Sequence, residues 1–336
     1  MRRFFLRSFD AAVGWVGLDT HRHRMARERP TNRTHFPVVK RSRHRLIDFS
    51  LQIGVNGLSP LKAGWMNTFA HVVCWGYLAA VAPVIFGQAQ VLPADTPATL
   101  IKEDAAAGLE LWQTMLGRLW IPRPGYYVIK HLQWEQKVQR VYHHPLVHVL
   151  PGDVVIDCGA HIGGFTRIAL EAGARLVVAI EPEKANLVAF RRNLAQELKA
   201  GRVKLVEKGA WDTSGRISLH ISNTGDSHSM VVPRDAQRDV TVEVTTLDSL
   251  AESLKLPQVD FVKMDIEGAE RNALRGARQL LKRWRPRLAI SSYHLKGDPA
   301  AIAALVWECR PDYLVESRDL IEGPEGVSVP KVLFFR

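Results

Sequence analysis

The stretch VVIDCGAHIGGFT, residues 154–166, constrains this chain more than any other. An apolar, β-branched run ends at Asp157, glycines follow at 159, 163 and 164, and the residues beyond them read as a helix. Strand, glycine turn and helix in that order let a ligand approach the backbone, because glycine lacks a Cβ and tolerates positive φ. The helix behind the turn presents unpaired N–H groups. A nucleotide-like ligand suits such a turn, although glycine turns also occur in sheets that bind nothing.

From residue 151 onward, strand and helix patterns alternate. Strands at 153–158, 176–181, 202–208, 260–265 and 287–293 are interleaved with helices at 164–172, 184–198, 268–284 and 298–309. A polar insert with short strands occupies 211–246 and precedes a short helix. Such alternation predicts an α/β fold, a doubly wound, mostly parallel sheet with helices on both faces. DYLVES and VPKVLFF flank a Gly-Pro-Glu-Gly turn, so the tail reads as an antiparallel hairpin.

Ligands of an open α/β sheet sit outside the carboxyl ends of its strands. The candidates are therefore Asp157 and Gly159, Glu181, residues 208–211, Asp265 with Glu267, and Tyr293 with His294. Glu181 ends the second strand, 22 positions after Gly159, where a carboxylate can accept both hydroxyl protons of a ribose. Its other reading is a carboxylate favoured by the dipole of the helix from Lys184. Asp265 and Glu267 read as functional acids or as ion-pair partners of Lys263, Arg271 and Arg275. The turn lacks the G-x-G-x-x-G spacing that a pyrophosphate needs. An acid before it suits a ligand carrying an ammonium and a sulfonium, which is S-adenosylmethionine.

The net charge of +11 would suggest nucleic acid or membrane if it were spread over the fold. Residues 1–65 hold 13 Lys/Arg against 4 Asp/Glu, leaving 32 against 30 for the rest. The basicity belongs to a leader, expected to be disordered, and no nucleic-acid partner is expected. Residues 63–94 carry no Asp, Glu, Lys or Arg, the segment 66–95 reads as apolar, and 69–86 is an apolar run at the lower edge of a spanning length. A membrane helix, a signal-like core and a buried helix all fit it. Residues 96–150 read as an amphipathic helical cap, with Trp112, Trp120 and Trp134 as packing aromatics. Cys74, Cys158 and Cys309 have neither disulfide nor metal spacing, and no metal is expected.

Together, VVIDCGAHIGGFT, AIEPEKANLVAFRRN and VDFVKMDIEGAE resemble the FkbM-type family of S-adenosylmethionine-dependent methyltransferases over about residues 150–336. The resemblance implies the class I methyltransferase fold, seven strands in the order 3-2-1-4-5-7-6 with the seventh antiparallel, preceded here by an N-terminal helical extension. It implies that Asp157, Gly159 and Gly163 contact the methionine part, that Glu181 binds the ribose, and that Trp211 with the backbone at Gly209 flanks the adenine. His161 and Asp265 complete the cofactor-binding set. Asn193 reads as closing its helix against the sheet or as an ordinary exposed residue. The chain departs from the family at Ser291-Ser-Tyr-His294, where an acid often precedes the histidine.

The expected activity is methyl transfer from S-adenosyl-L-methionine to a hydroxyl of a small-molecule or glycan acceptor. His294 is expected as general base, with Asp265 orienting the acceptor or facing the sulfonium and Glu267 as a further catalytic candidate. The expected location is the cytoplasm, with membrane association through 69–86 left open. Two other readings stand: a membrane-tethered nucleoside-ligand-binding protein without catalysis, and a nicotinamide-dependent oxidoreductase.

Overall fold

The computed structural model describes residues 96–222, 228–232, 238–322 and 326–336. The basic leader and the apolar run, with their disorder and membrane readings, lie outside the described residues. Among the described residues, no helix is long and apolar enough to cross a membrane.

The first elements correct the expected helical cap. Strands β1 (Thr99–Asp104), β2 (Leu109–Thr114) and β3 (Gly117–Pro122) form an antiparallel sheet. Only α1 (Tyr126–Gln133) and a widened π-helical turn (Trp134–Gln139) keep the helical pattern. Side chains at the turns decide the matter. Asp104 Oδ1 accepts the Ala107 N–H at 3.0 Å, and Thr114 Oγ1 donates to Gly117 O at 2.7 Å while accepting the Leu116 N–H. Such local bonds offer the backbone a turn in place of a helix. Leu109, Leu119 and Ile121 then bury against Ile129 and Ile162, an interior that a helix over 99–122 would forgo.

The main sheet follows the expected alternation. It is built from β4 (Val154–Cys158), α2 (Gly164–Glu171), β5 (Leu176–Ile180), α3 (Lys184–Asn193), α4 (Ala195–Lys199) and β6 (Val203–Val206). After an insert come α5 (Leu247–Ser253), β10 (Phe261–Met264), α6 (Glu270–Arg275), α7 (Arg278–Trp284), β11 (Arg287–Ser291), α8 (Asp298–Cys309), β12 (Val315–Glu322) and β13 (Ser328–Phe335). Strand order is β12-β13-β11-β10-β4-β5-β6, with β13 antiparallel to β11, which is the expected 3-2-1-4-5-7-6 order. The insert forms its own small sheet from β7 (Gly209–Ala210), β8 (Gly215–Ile221) and β9 (Arg238–Thr245).

Alternate residues of the central strands build the two faces of the core. Ile156, Val178, Val262 and Leu288 pack with Leu250, Leu274 and Val306 on one face. Val155, Val177, Phe261 and Ala289 pack with Phe165, Phe190 and Tyr142 on the other. Two helices expected as single elements are each broken, at Leu194 and at Gly276. The second break has a steric cause, because a Cβ on Gly276 would stand 2.1 Å from the Trp211 carbonyl oxygen. We expect Gly276→Ala to displace that backbone and lower stability by about 2 kcal/mol, within the range for overpacking, read as a reduced urea midpoint at unchanged m.

Candidate active site

At the carboxyl ends of β4, β5 and β10 lies a cavity of about 240 Å³. Gly159, Ala160 and His161 form its wall after β4, Glu181 after β5, and Asp265 and Glu267 after β10. Gly209 and Ala210, with Leu219, His228 and Met230 of the insert, close one side. His131, Glu135 and Gln136 close another.

The glycine turn is held from three strands. Gly159 N and Ala160 N both donate to Ile180 O at 3.0 Å. Gly159 has φ +77°, and a Cβ there would lie 1.9 Å from Asp265 O, so the turn and the end of β10 touch backbone to backbone. Beneath it, Asp157 and Lys263 are register partners on β4 and β10. Both are buried, with Lys263 Nζ 3.2 Å from Asp157 Oδ1 and donating to the carbonyls of Cys158 (3.1 Å) and Gly159 (2.8 Å). Asp157 Oδ2 accepts from Thr166 Oγ1 at 2.7 Å. Burial pulls the Lys263 ammonium down, but Asp157 and Asp265 outweigh it and hold its pKa above the ordinary value.

Several expected contacts therefore change. Asp157 does not line the cavity; both its oxygens face inward, to Thr166 and Lys263, because the pleat turns it away from the wall. Gly163 packs against Phe190 and Leu194 instead of the cavity. Trp211 also stands off the wall, where its N–H extends the β7–β9 ladder to Thr245 O, and Met230 and Leu219 take the place assigned to it. Gly159, His161, Glu181, Gly209, Asp265 and Glu267 do come together on the wall. Asn193 is neither merely exposed nor a closure of helix on sheet. Its amide donates to Trp120 O and Ile162 O and accepts from Trp120 N, tying β3 to the glycine turn.

Glu181 is 5% exposed and accepts from His161 N (2.8 Å), Glu183 N (3.0 Å) and Asn186 Nδ2 (3.3 Å). Burial outweighs these donors and raises its pKa to about 7. Asn186 lines the same end, and its buried Oδ1 has no hydrogen-bond partner among the described residues, which leaves an acceptor open to a donor.

Opposite lies a cluster the sequence only half disclosed. Glu267 sits at φ +54°, and the carboxylate of Glu270 caps its turn by accepting from Ile266 N (2.9 Å) and Gly268 N (3.0 Å). Glu270 Oε1 also lies 3.0 Å from His294 Nδ1, while His294 Nε2 faces Asp265 Oδ1 at 3.5 Å and Glu267 Oε1 at 3.6 Å. Tyr142 OH donates to Asp265 Oδ2 at 2.6 Å. Burial alone would lower the His294 pKa, but Glu270 and Glu267 hold it well above the ordinary value. This argues against the expected histidine base: His294 is 1% exposed, lies behind the wall, and has acidic neighbours that favour its charged form. Burial raises Glu267 against the pull of His294, whereas for Asp265 the charges of His294 and Lys263 outweigh burial and lower its pKa.

Ligand atoms of Asp265, Glu270 and His294 lie within 4.8 Å of one another, close enough to hold a metal ion. The two carboxylates, however, face different ring nitrogens. An imidazolium donating from both nitrogens meets that arrangement, whereas one cation cannot sit on both sides of the ring. Glu270 was legible as the last residue of DIEGAE; Tyr142, Glu135 and Gln136 had no motif to mark them.

The strand order and a ligand wall at the carboxyl ends of the first, second and fourth strands define a class I methyltransferase fold. Residues 157–313, a little under half of the chain, match the methyltransferase FkbM domain. It is similar to the 2-O-methyltransferase NoeI of Sinorhizobium fredii, 26% identical over 162 residues that make up 43% of this chain and 65% of that protein. It is also similar to the hexuronic acid methyltransferase AglP of Haloferax volcanii, 27% identical over 182 residues, 54% of this chain and 72% of that protein. The crystal structure of methyltransferase FkbM from Methylobacillus flagellatus aligns over 63% of this chain and 54% of its own, with 24% identity and a TM-score of 0.42. The chain thus spans less than two thirds of NoeI and of the M. flagellatus protein.

The buried pair generates a stability prediction. Lys263→Met leaves Asp157 as an uncompensated buried charge and should cost about 3–5 kcal/mol, whereas adding Asp157→Asn should recover much of that loss. Urea unfolding of the two variants checks it.

Proposed function

We propose that the protein transfers a methyl group from S-adenosyl-L-methionine to a hydroxyl oxygen, on a sugar or a related small molecule. The observation that carries this reading is Glu181, a buried carboxylate on the cavity wall at the end of the second strand, beside the unpartnered acceptor of Asn186. The wall residues fit the cofactor: Glu181 would hold the ribose hydroxyls, Asn186 a further donor, and Gly209, Ala210 and Met230 the base. When bound, S-adenosylmethionine supplies an electrophilic methyl on a sulfonium. The relative named for a 2-O position supports a hydroxylated, sugar-like acceptor. S-adenosylmethionine is a cytosolic metabolite, which supports a cytoplasmic site for the domain.

Glu267 takes the proton of the acceptor hydroxyl in this reading. Its carboxylate lines the cavity, and burial raises its basicity. His294 and Glu270 lie behind it as positioning groups, and Asp265 keeps its negative charge next to the turn. Orientation of the reactants can supply about 7–11 kcal/mol, and a general base about 10²–10⁴-fold. A nicotinamide oxidoreductase gains no support, since the turn has no pyrophosphate spacing.

The test is calorimetry with S-adenosylhomocysteine, followed by transfer of labelled methyl to a glycan panel. Glu181→Ala should weaken S-adenosylhomocysteine at least about 10-fold, the loss of one charge-assisted hydrogen bond; unchanged affinity would remove the ribose assignment. Glu267→Gln should lower turnover about 100-fold or more while leaving that affinity in place.

Glu181 also sets a pH dependence. Its folded pKa is raised to about 7, so the free protein binds more protons than the unfolded chain and loses this contribution as pH rises through 4.5 to 7. Ribose hydroxyls favour the ionised carboxylate, so affinity for S-adenosylhomocysteine should rise with pH and level off above about 7. Calorimetry in buffers of different ionisation enthalpy should register the released proton. A flat profile between pH 5.5 and 8 would contradict it.

A further inference from the structure

The charge on the cavity wall bears on what the acceptor can carry. Glu135, Glu181, Asp265 and Glu267 all line it, and Asp157 and Glu270 lie just behind. Lys263 is the one Lys or Arg on the described wall, and its ammonium is engaged by Asp157 and two carbonyls. The imidazolium of His294 is enclosed by Glu270, Glu267 and Asp265. A carboxylate on the acceptor, brought near Asp265 and Glu267, would meet two like charges, with no further Lys or Arg on the described wall to pair with it. Like-charge juxtaposition of this kind is a strong filter against a ligand.

Gln136 is an independent observation. It lies on the first turn of the π-helical segment, forms part of the partition between the main cavity and a second pocket of about 250 Å³, and is only 8% exposed. Its side-chain amide makes no hydrogen bond with any described residue, although its neighbours are anchored: Glu135 by Lys331 at 2.6 Å and Tyr142 by Asp265. The amide borders the cavity, where a ligand or water can partner it. It offers both a donor and an acceptor, which a hydroxyl can satisfy in either sense.

We propose that the acceptor is an uncharged polyhydroxylated molecule of the neutral glycoside class, read by the Gln136 amide and the Glu267 carboxylate, and that carboxylated sugars are refused. This rests on the methyl-transfer reading, so the experiment separates the two. Calorimetry with S-adenosylhomocysteine comes first; absence of binding there sinks the methyltransferase reading itself. With S-adenosylhomocysteine bound, saturation-transfer NMR then compares matched pairs of methyl glycosides and the corresponding uronates, which differ only at the carboxyl carbon. Contact from the neutral members, with uronates at least about 100-fold weaker, is the expected result. Equal or tighter uronate binding overturns the proposal, as does contact from neither class. Gln136→Ala should weaken the neutral glycosides about 10-fold while still binding S-adenosylhomocysteine, which reports that it folds. If it does not fold, the similar-volume Gln136→Met carries the same comparison. Neutral glycosides bound as well by the folded variant as by the parent remove Gln136 from the site.

Discussion

The ammonium of Lys263 is the interaction on which the site depends. It lies where β4 and β10 run side by side, and it engages a buried carboxylate and two turn carbonyls at once. Those carbonyls belong to Cys158, the last residue of β4, which also accepts from Asp265 N, and to Gly159, whose chain has left the sheet ladder to form the turn. A buried carbonyl without a donor is costly, so the cation defines the shape of the turn as well as neutralising Asp157. The amides of the same turn reach across to Ile180 O, and its glycine rests against the backbone of Asp265. Three strand ends are thereby fixed relative to one another without any side chain having to fill the space the cavity occupies.

A second balance is built on that frame. Among the described residues, Asp157, Asp265, Glu267 and Glu270 face two buried cations, Lys263 and His294. Buried charges persist where they are paired and hydrogen-bonded, and the two most enclosed acids meet that condition: Asp157 through Thr166 and Lys263, Glu270 through two backbone amides and His294. The excess negative charge falls on Asp265 and Glu267, the two acids that reach the wall. The arrangement sends unbalanced charge to the place where a positively charged group can offset it, which agrees with a sulfonium-bearing ligand and argues against an anionic one.

How much of this was legible in the sequence follows from how local each signal is. The strands of the main sheet could be read because each is a short apolar run ending at a polar residue, and the tail hairpin has its own turn residues, whereas their order came from the family resemblance. The segment 99–122 could not, since Leu109, Trp112 and Leu116 are spaced as on a helix face while their strands are set by turn bonds from Asp104 and Thr114. Strand ends located the site to within a residue, yet could not say which way a side chain points. Asp157 faces Lys263 because the two are in register, a fact of pairing between strands more than 100 residues apart. His294 likewise looked like a base until Glu270 and Glu267 were seen around it, because isolated histidine chemistry says nothing of the acids that hold its proton.

The division of labour in the cavity follows from the same geometry. Its floor comes from strand ends fixed by backbone contacts and buried ion pairs, positions where a change disturbs the core. Its acceptor wall comes from α1 and the π-helical turn, which are fastened at their far edges: Arg318 bonds the carbonyls of Gln139 and His143, Lys331 holds Glu135, and Tyr142 reaches Asp265. π-helical turns interrupt regular helices chiefly at functional sites, and here the turn brings Glu135 and Gln136 to the cavity between those anchors. A wall attached in this way can change its side chains without altering the floor. On the proposed reading, acceptor choice is thereby separated from the machinery for methyl transfer, and the segment with the least readable sequence is the one that sets specificity.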